Sequence, residues 1–247
     1  MELDRVIAVG NDKTIYRDGD KCIKMFNSRY TKAQVLNEAL NQTIIEETGI
    51  SVPKILEVTV INDKWAIVME FIEGKLLSEL IEENPDKKEE YLELFLNLQV
   101  DVHSKNAPLL KKSKDRISQH IAESDLDATT RYHLCSMVEE MPKHSKVCHG
   151  DFVPSNIIVK EDGSAYIIDW PHASRGNSSA DAAQTYLSFM FNPGTFDAET
   201  YLKAFCEKSG IPEVTVRKWI PIIAASKTIK AYEREKEALM NIGESKF

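Results

Sequence analysis

The sequence predicts an α+β chain in two parts, a small antiparallel sheet followed by a larger helical half. Three observations carry that expectation. Short apolar pieces punctuated by turn residues fill the chain up to residue 70, with one helical pattern set among them. Helical periodicity dominates after Gly74, and one strand–turn–strand pattern interrupts it at 149–170. With 247 residues, 43% of them hydrophobic, there is enough apolar material to build a sizeable core.

The elements follow in order. RVIAV runs into the turn Gly10-Asn11-Asp12, KTIYR into Asp18-Gly19-Asp20, and KCIKMF comes next, which reads as three consecutive antiparallel strands. Thr31 with Gln34 three residues later is a capping-box signal. Behind it Val35, Leu36, Ala39, Leu40 and Ile44 recur at helical spacing and Gly49 stops the pattern, so residues 31–48 are expected to be a helix. PKILEVTVI and KWAIVMEF form a hairpin around Asn62-Asp63. A break at Glu73-Gly74 precedes a short helix in KLLSELIEEN, a longer amphipathic helix over 86–104 ending near His103, and a polar helical stretch over 110–141. In the interruption, NIIV and AYIID pair through Asp162-Gly163, and the remainder is helical. The boundary between the parts falls at 70–74, giving an N-terminal part over 1–69, a hinge over 70–74 and a helical part over 75–247.

The bulk properties exclude several classes. A net charge of −8 disfavours a nucleic-acid backbone as partner. Cys22, Cys135, Cys148 and Cys206 are scattered without a CxxC pair, so neither a disulfide framework nor a zinc site is expected, and reduced thiols in the cytoplasm are. MELDRVIAVG does not read as a signal peptide, and no run approaches the roughly 20 apolar residues that span a membrane. The sequence carries no signal for an oligomeric state.

The chemistry concentrates in HGDFVPSNIIVKEDGSAYIIDW, residues 149–170. The hairpin brings Asn156, at the start of one strand, near Asp169, at the end of the other, and Asp151 lies five residues before Asn156 on the same loop. Any one of these alone reads as a turn or cap residue. Together they place oxygen donors at one end of a buried hairpin, where uncompensated carboxylates are costly and a cation is called for. Asp and Asn oxygens suit Mg²⁺, which keeps waters and also binds substrate phosphates.

His149-Gly150-Asp151, then Asn156, then Ile168-Asp169-Trp170 resembles the HGDxxxxN and IDW signatures of aminoglycoside phosphotransferase-like and choline kinase-like small-molecule kinases. The order of elements along nearly the whole chain resembles their protein kinase-like fold. The resemblance implies an ATP- and Mg²⁺-dependent phosphotransferase acting on a hydroxyl of a small molecule, with GTP as a possible alternative donor. It implies Asp151 as catalytic base, Asn156 and Asp169 as metal ligands, and His149 as a support of the loop. It requires a phosphate-binding lysine in the first part, and Lys24, inside the apolar strand KCIKMF, fits. Glu38 is its expected helical partner, as the acid in the first three turns of the 31–48 helix, whereas Glu46 and Glu47 read as solvated. Lys21 reads as an edge-strand charge. At the hinge MEFIEG, Glu70 and Ile72 are the candidates for adenine recognition by backbone groups. Asp181 reads as structural, either capping a helix or bracing the catalytic loop. Where these families often carry Gly before the metal-binding Asn, this chain has Ser155, which is tolerated unless φ there is positive.

Other readings are weaker. No G-x-G-x-x-G lies between the first two strands, and Trp170-Pro171 stands where protein kinases have Phe-Gly. GNDKT at 10–14 lacks the P-loop spacing. Cys148 and His149, neighbours on a strand, point to opposite faces and do not form a hydrolase pair. His103 reads as a capping or core histidine rather than a ligand, and the apolar face of 214–242, with Trp219, Ile222 and Ile223, reads as core. The acceptor is open among aminoglycosides, choline or ethanolamine, homoserine and sugars. A nucleotide-binding pseudokinase and a nucleotidyl transferase are the readings outside the kinase class.

Overall fold

The computed structural model describes residues 5–10, 12–192, 194–231 and 233–244. The chain divides into two compact units, one made of the residues up to Leu80 together with Pro154–Ala173, the other of Ile81–Val153 and Ser174 onward. The boundary expected at 70–74 follows the order of elements. By packing, the hairpin in the second half of the sequence belongs with the N-terminal sheet.

In the first unit, strands β1 (Arg5–Val9), β2 (Lys13–Asp18), β3 (Lys21–Phe26), β4 (Ile55–Ile61) and β5 (Lys64–Glu70) form an antiparallel sheet in the order β1-β2-β3-β5-β4. The expected turn at Gly10-Asn11-Asp12 includes Asn11, which lies outside the described residues. Asn62 and Asp63 have φ of 50° and 59°, the paired positive values of a two-residue hairpin turn whose twist suits the strands. Strand alternation sorts the side chains of β3. Ile23 and Met25 pack with Ile61, Ala66 and Val68 on one face, whereas Phe26 packs with Ile67, Met69, Val35 and Ala39 on the face covered by α1 (Lys32–Glu46). Lys24 shares the parity of Phe26 and so lies on the helix-covered face.

Helix α1 begins as its capping box dictates. The Thr31 hydroxyl accepts from the Gln34 N–H at 3.3 Å, and the Gln34 side chain accepts from the Thr31 N–H at 2.8 Å. Thr31→Ala is expected to cost about 1 kcal/mol, read as a lowered urea midpoint at unchanged m. The buried stripe of α1 differs from the apolar one that periodicity suggests. Leu36 and Leu40 are exposed, while Glu38, Asn41 and Gln42 turn inward. Asn41 donates to the Pro171 carbonyl at 3.1 Å and Gln42 to the Pro53 carbonyl at 2.6 Å, so these polar groups are satisfied inside. Glu46, expected to be solvated, instead accepts from the Ile55 N–H at 2.8 Å and fixes the start of β4.

The chain leaves β5 and pairs a two-residue strand, β6 (Lys75–Leu76), with β8 (Ile157–Val159), which pairs with β9 (Ala165–Ile167). Gly74 permits this, because a Cβ there would sit 2.5 Å from the Val159 carbonyl. Asp162-Gly163 makes the β8–β9 turn, with Gly163 at φ 82°. The Ile167 N–H donates to the Ser51 carbonyl at 2.9 Å, tying the hairpin to the segment after α1.

Helix α2 (Leu77–Glu83) leads into the second unit, with α3 (Lys88–Ser104), α4 (Ser113–Glu123), α5 (Ala128–Glu140), α6 (Ser178–Phe191), α7 (Ala198–Ser209), α8 (Glu213–Arg217), α9 (Ile220–Lys227) and α10 (Glu233–Glu244). The polar stretch expected to be helical over 110–141 is two helices. Asp127 caps the second by accepting from the Thr129 and Thr130 N–H groups. Two short strands, β7 (Lys146–Cys148) and β10 (Ser174–Gly176), pair antiparallel within this unit. Its aromatic core centres on Phe95, whose ring meets those of Phe152, Phe189, Phe196 and Tyr201. Trp219, Ile222 and Ile223 are buried, as the core reading of 214–242 requires. The four cysteines are free thiols. Among the described residues no helix is long and apolar enough to cross a membrane.

Candidate active site

The first unit assembles a charge cluster on the α1-covered face of β3. Lys24, 7% exposed, forms an ion pair with Glu38, itself 4% exposed, and its ammonium lies 2.5 Å from Asp169 Oδ1. Burial alone would depress the Lys24 ammonium, but Asp169 and Glu38 outweigh it and raise it above the ordinary lysine range, so it stays charged. A second lysine, which the sequence did not suggest, joins the cluster. Lys13, the first residue of β2, reaches Glu38 Oε2 at 3.3 Å and Asp169 Oδ1 at 3.5 Å. Lys21 is exposed at the start of β3, but β3 is the central strand, paired with both β2 and β5, so Lys21 is not the edge-strand charge the sequence suggests.

Asp169 follows β9 with φ 65°, a left-handed conformation that few non-glycine residues adopt and that Asp tolerates better than most. Strain of this kind persists where the surroundings hold it. Here the Trp170 indole N–H donates to the Ile167 carbonyl at 3.0 Å, and Asn41 holds the carbonyls of Trp170 and Pro171. Asn156 ends a 3-10 turn over Pro154–Asn156, and its carbonyl accepts from the Ile168 N–H at 2.9 Å. That bond sets Asn156 beside the residue preceding Asp169. Ser155 is not among the positive-φ residues, so serine is compatible with the backbone there.

Asn156 and Asp169 offer hard oxygen donors of the kind that Mg²⁺ prefers. The fit is supported by Asp169 Oδ1 already drawing two ammonium groups, which shows a carboxylate whose charge is compensated by cations. Among the described residues there is no group of three or more His, Cys, Asp or Glu able to hold a metal unaided. A cation here would complete its shell with water and phosphate oxygens.

At the end of β5, the Glu70 N–H donates to the Lys54 carbonyl at 3.0 Å and the Phe71 N–H to the Asp20 carbonyl at 2.9 Å. The Glu70 carboxylate accepts from the Lys54 N–H at 3.2 Å. The backbone N–H groups of Glu70 and Phe71 are therefore engaged within the protein. Ile72 is half-buried just beyond.

The second unit builds the loop that carries Asp151. Asp181, in α6, is 5% exposed, and its carboxylate accepts from His103 Nε2 at 2.9 Å, the His149 N–H at 3.1 Å and the Gly150 N–H at 2.7 Å. Burial would push this carboxyl up, but the His103 hydrogen bond and charge, with His149 and the Gly150 N–H, hold it below the ordinary range. The helix cap is Asn177, which accepts from the Ser179 N–H, so Asp181 braces the loop rather than capping α6. Gly150 has φ 82°, and the Gln184 side chain donates to its carbonyl. The Asp151 N–H donates to His149 Nδ1 at 3.2 Å, which assigns that nitrogen as acceptor and ties the ring to the loop. Behind Asp151, the Phe152 carbonyl accepts from Thr185, Thr185 accepts from Gln99, and Gln99 accepts from Tyr201. The Asp151 side chain thus leaves a stretch of backbone anchored on both sides. Burial lowers the Lys227 ammonium below its ordinary value, and the charges of Asp151 and Glu235 offset that only in part. Cys148 is buried and its thiol is raised well above the ordinary range, chiefly by burial, which makes it unreactive.

His103 escaped sequence reading as a site residue because its partner lies 78 positions away. Gln184 and Thr185 carry no motif of their own, but their spacing from Asp181 puts all three on neighbouring turns of α6.

The order of sheet, helix, hairpin and helical bundle is that of a kinase-like fold. The chain belongs to the phosphotransferase enzyme family, whose model matches residues 5–216. It is similar in structure to a thermostable mutant of aminoglycoside phosphotransferase APH(4)-Ia in ternary complex with AMP-PNP and hygromycin B. That match has a TM-score of 0.70 at 12% identity and covers 98% of this chain and 94% of that one. It is also similar to LicA in complex with AMP, with a TM-score of 0.65 at 16% identity over 98% and 92% of the two chains. Choline kinase LicA from Streptococcus pneumoniae matches with a TM-score of 0.59 at 17% identity, over 96% and 87%. A search of curated proteins finds no match.

Proposed function

We propose that this protein transfers the terminal phosphoryl group of ATP to a hydroxyl of a small polar molecule, with Mg²⁺ as the cofactor. The observation that carries the reading is the Lys24 ammonium shared between Glu38 and Asp169, a buried cation fixed next to a candidate metal ligand. Lys24 orients and neutralises the nucleotide's phosphates, and Glu38 keeps Lys24 in place. Asn156 and Asp169 hold the metal, which when bound neutralises charge on the transferring group. Asp151 accepts the proton of the acceptor hydroxyl and aims that oxygen at the terminal phosphorus. Glu70 and Ile72 bound the adenine at the hinge over 70–74, with 1–69 as the nucleotide-binding part and 75–247 as the catalytic and acceptor-binding part. The solved relatives support a nucleotide donor and a polar acceptor, since one of them holds AMP-PNP with hygromycin B and another holds AMP.

The test is ADP formation from Mg-ATP and Mg-GTP against a panel of aminoglycosides, choline and ethanolamine, homoserine, sugars and nucleosides. Mass spectrometry of the acceptor would read the product. A phosphorylated acceptor with matching ADP is the expected result. Release of AMP or pyrophosphate in place of ADP would reassign the chain as a nucleotidyl transferase, and absence of any nucleotide binding would overturn the reading.

A further inference from the structure

The carboxylates of the first unit hold one more cation than the proposed chemistry uses. Glu38 and Asp169 face both Lys24 and Lys13, so two negative and two positive charges balance while no nucleotide is bound. The two lysines differ in how they are held. The Lys24 side chain is 9% exposed and 2.5 Å from Asp169, whereas that of Lys13 is 19% exposed, with its carboxylate contacts at 3.3 and 3.5 Å. Lys13 is the looser and the more accessible of the pair.

Its place in the chain is also specific. Lys13 closes the turn after β1, where the Gly10 N–H donates to the Lys13 carbonyl at 2.8 Å and the Asn27 N–H to the Asp12 carbonyl at 3.0 Å. The Lys13 ammonium stands 5.6 Å from the Phe26 ring and 5.8 Å from the Tyr30 ring, contacts that aim it across the sheet toward Glu38 and Asp169. This turn has a single glycine, Gly10, and so cannot offer the run of close backbone N–H groups with which a glycine-rich loop cradles phosphates.

We infer that Lys13 is a second phosphate-binding lysine, which rests on Glu38 and Asp169 in the nucleotide-free site and turns to the nucleotide's phosphates when a divalent cation takes Asp169. The inference rests on the phosphotransferase reading above. Charge decides it. With Lys24 as the sole cation, Glu38 and Asp169 would leave the cluster net negative, and it would repel an incoming metal–nucleotide complex that is itself net negative. With Lys13 the cluster is neutral. A cation at Asp169 also repels both ammonium groups from Oδ1. Lys24 keeps its close pair with Glu38, so Lys13 is the group released, within a side chain's reach of the arriving phosphates.

The experiment is calorimetric titration of Mg-ATP, Mg-ADP and adenosine into wild type, Lys13→Met and Lys13→Arg, with thermal unfolding of each. Loss of one charge-assisted phosphate contact is expected to raise the Kd of Lys13→Met for Mg-ATP by about ten- to a hundredfold. Adenosine binding and Tm should stay at wild-type values, and Lys13→Arg should recover most of the Mg-ATP affinity. Wild-type Mg-ATP affinity in Lys13→Met would overturn the inference and leave the phosphotransferase reading standing. Equal losses for Mg-ATP and adenosine together with a lowered Tm would make Lys13 a structural strut and overturn it as well. No nucleotide binding by the wild type would overturn both.

Discussion

With Asp151 replaced by Asn, turnover is expected to fall by about 10²–10⁴-fold, the range for losing a general base, while Mg-ATP affinity holds. Asn keeps the size and the hydrogen-bonding reach of the side chain but cannot take a proton from the acceptor hydroxyl. The backbone around it should not move. The Gly150 and His149 N–H groups are held by Asp181, the Asp151 N–H by His149 Nδ1, and the Phe152 carbonyl by Thr185. Nucleotide affinity should hold because Lys24, Glu38, Asn156 and Asp169 belong to the other compact unit. The measurement is steady-state ADP release alongside calorimetric Kd for Mg-ATP. Turnover within a few-fold of wild type would remove Asp151 from the role of base. A parallel loss of Mg-ATP affinity would mean that it contacts the metal–nucleotide complex instead.

How much of this could be read from the residues depends on the range of the interaction. Turns and caps are local, and Asn62-Asp63, Asp162-Gly163 and the Thr31–Gln34 box are visible as short strings. Lys24 is visible because a lysine between Ile23 and Met25 breaks an apolar strand, and Glu38 because it is the acid that α1 places within reach. Lys13 has no such contrast. It follows a turn, where a solvated charge is ordinary, and only the sheet register brings it over Phe26 and toward Asp169. The two- and three-residue strands β6, β7 and β10 are too short for any periodicity to show, and they exist because a neighbouring backbone needs partners. The same limit explains the split of 110–141, where α4 ends at Glu123 and Asp127 starts α5 with no change of composition. The inward turn of Asn41 and Gln42 answers to carbonyls at Pro171 and Pro53 that the helix sequence cannot foresee.

Asp181→Ala is expected to destabilise the protein by about 3–5 kcal/mol, the loss seen when one partner is removed from a buried ion pair. Three donors, His103 Nε2 and the His149 and Gly150 N–H groups, would be left in a dry interior without their acceptor. His103 is the most exposed to this change, because its Nδ1 already has no hydrogen-bond partner and its bond to Asp181 is the one that satisfies the ring. Arg116, whose guanidinium is lowered by burial and raised by the charge of Asp181, would lose that compensation too. The pH dependence has a definite sign. The Asp181 carboxyl lies below its ordinary value when folded, so its contribution is present above the unfolded value of about 3.9. That contribution is lost as pH falls through the lower, folded value. The stability gap between wild type and Asp181→Ala should therefore be full at neutral pH and narrow only in the acid range. Urea unfolding at pH 7 and at about pH 3 measures it. A gap under about 1 kcal/mol at pH 7, typical of an exposed pair, would show that Asp181 does not hold the loop. A gap of the expected size, accompanied by a fall in turnover at unchanged Mg-ATP affinity, would show that the anchoring of residues 149–151 is what keeps Asp151 aimed.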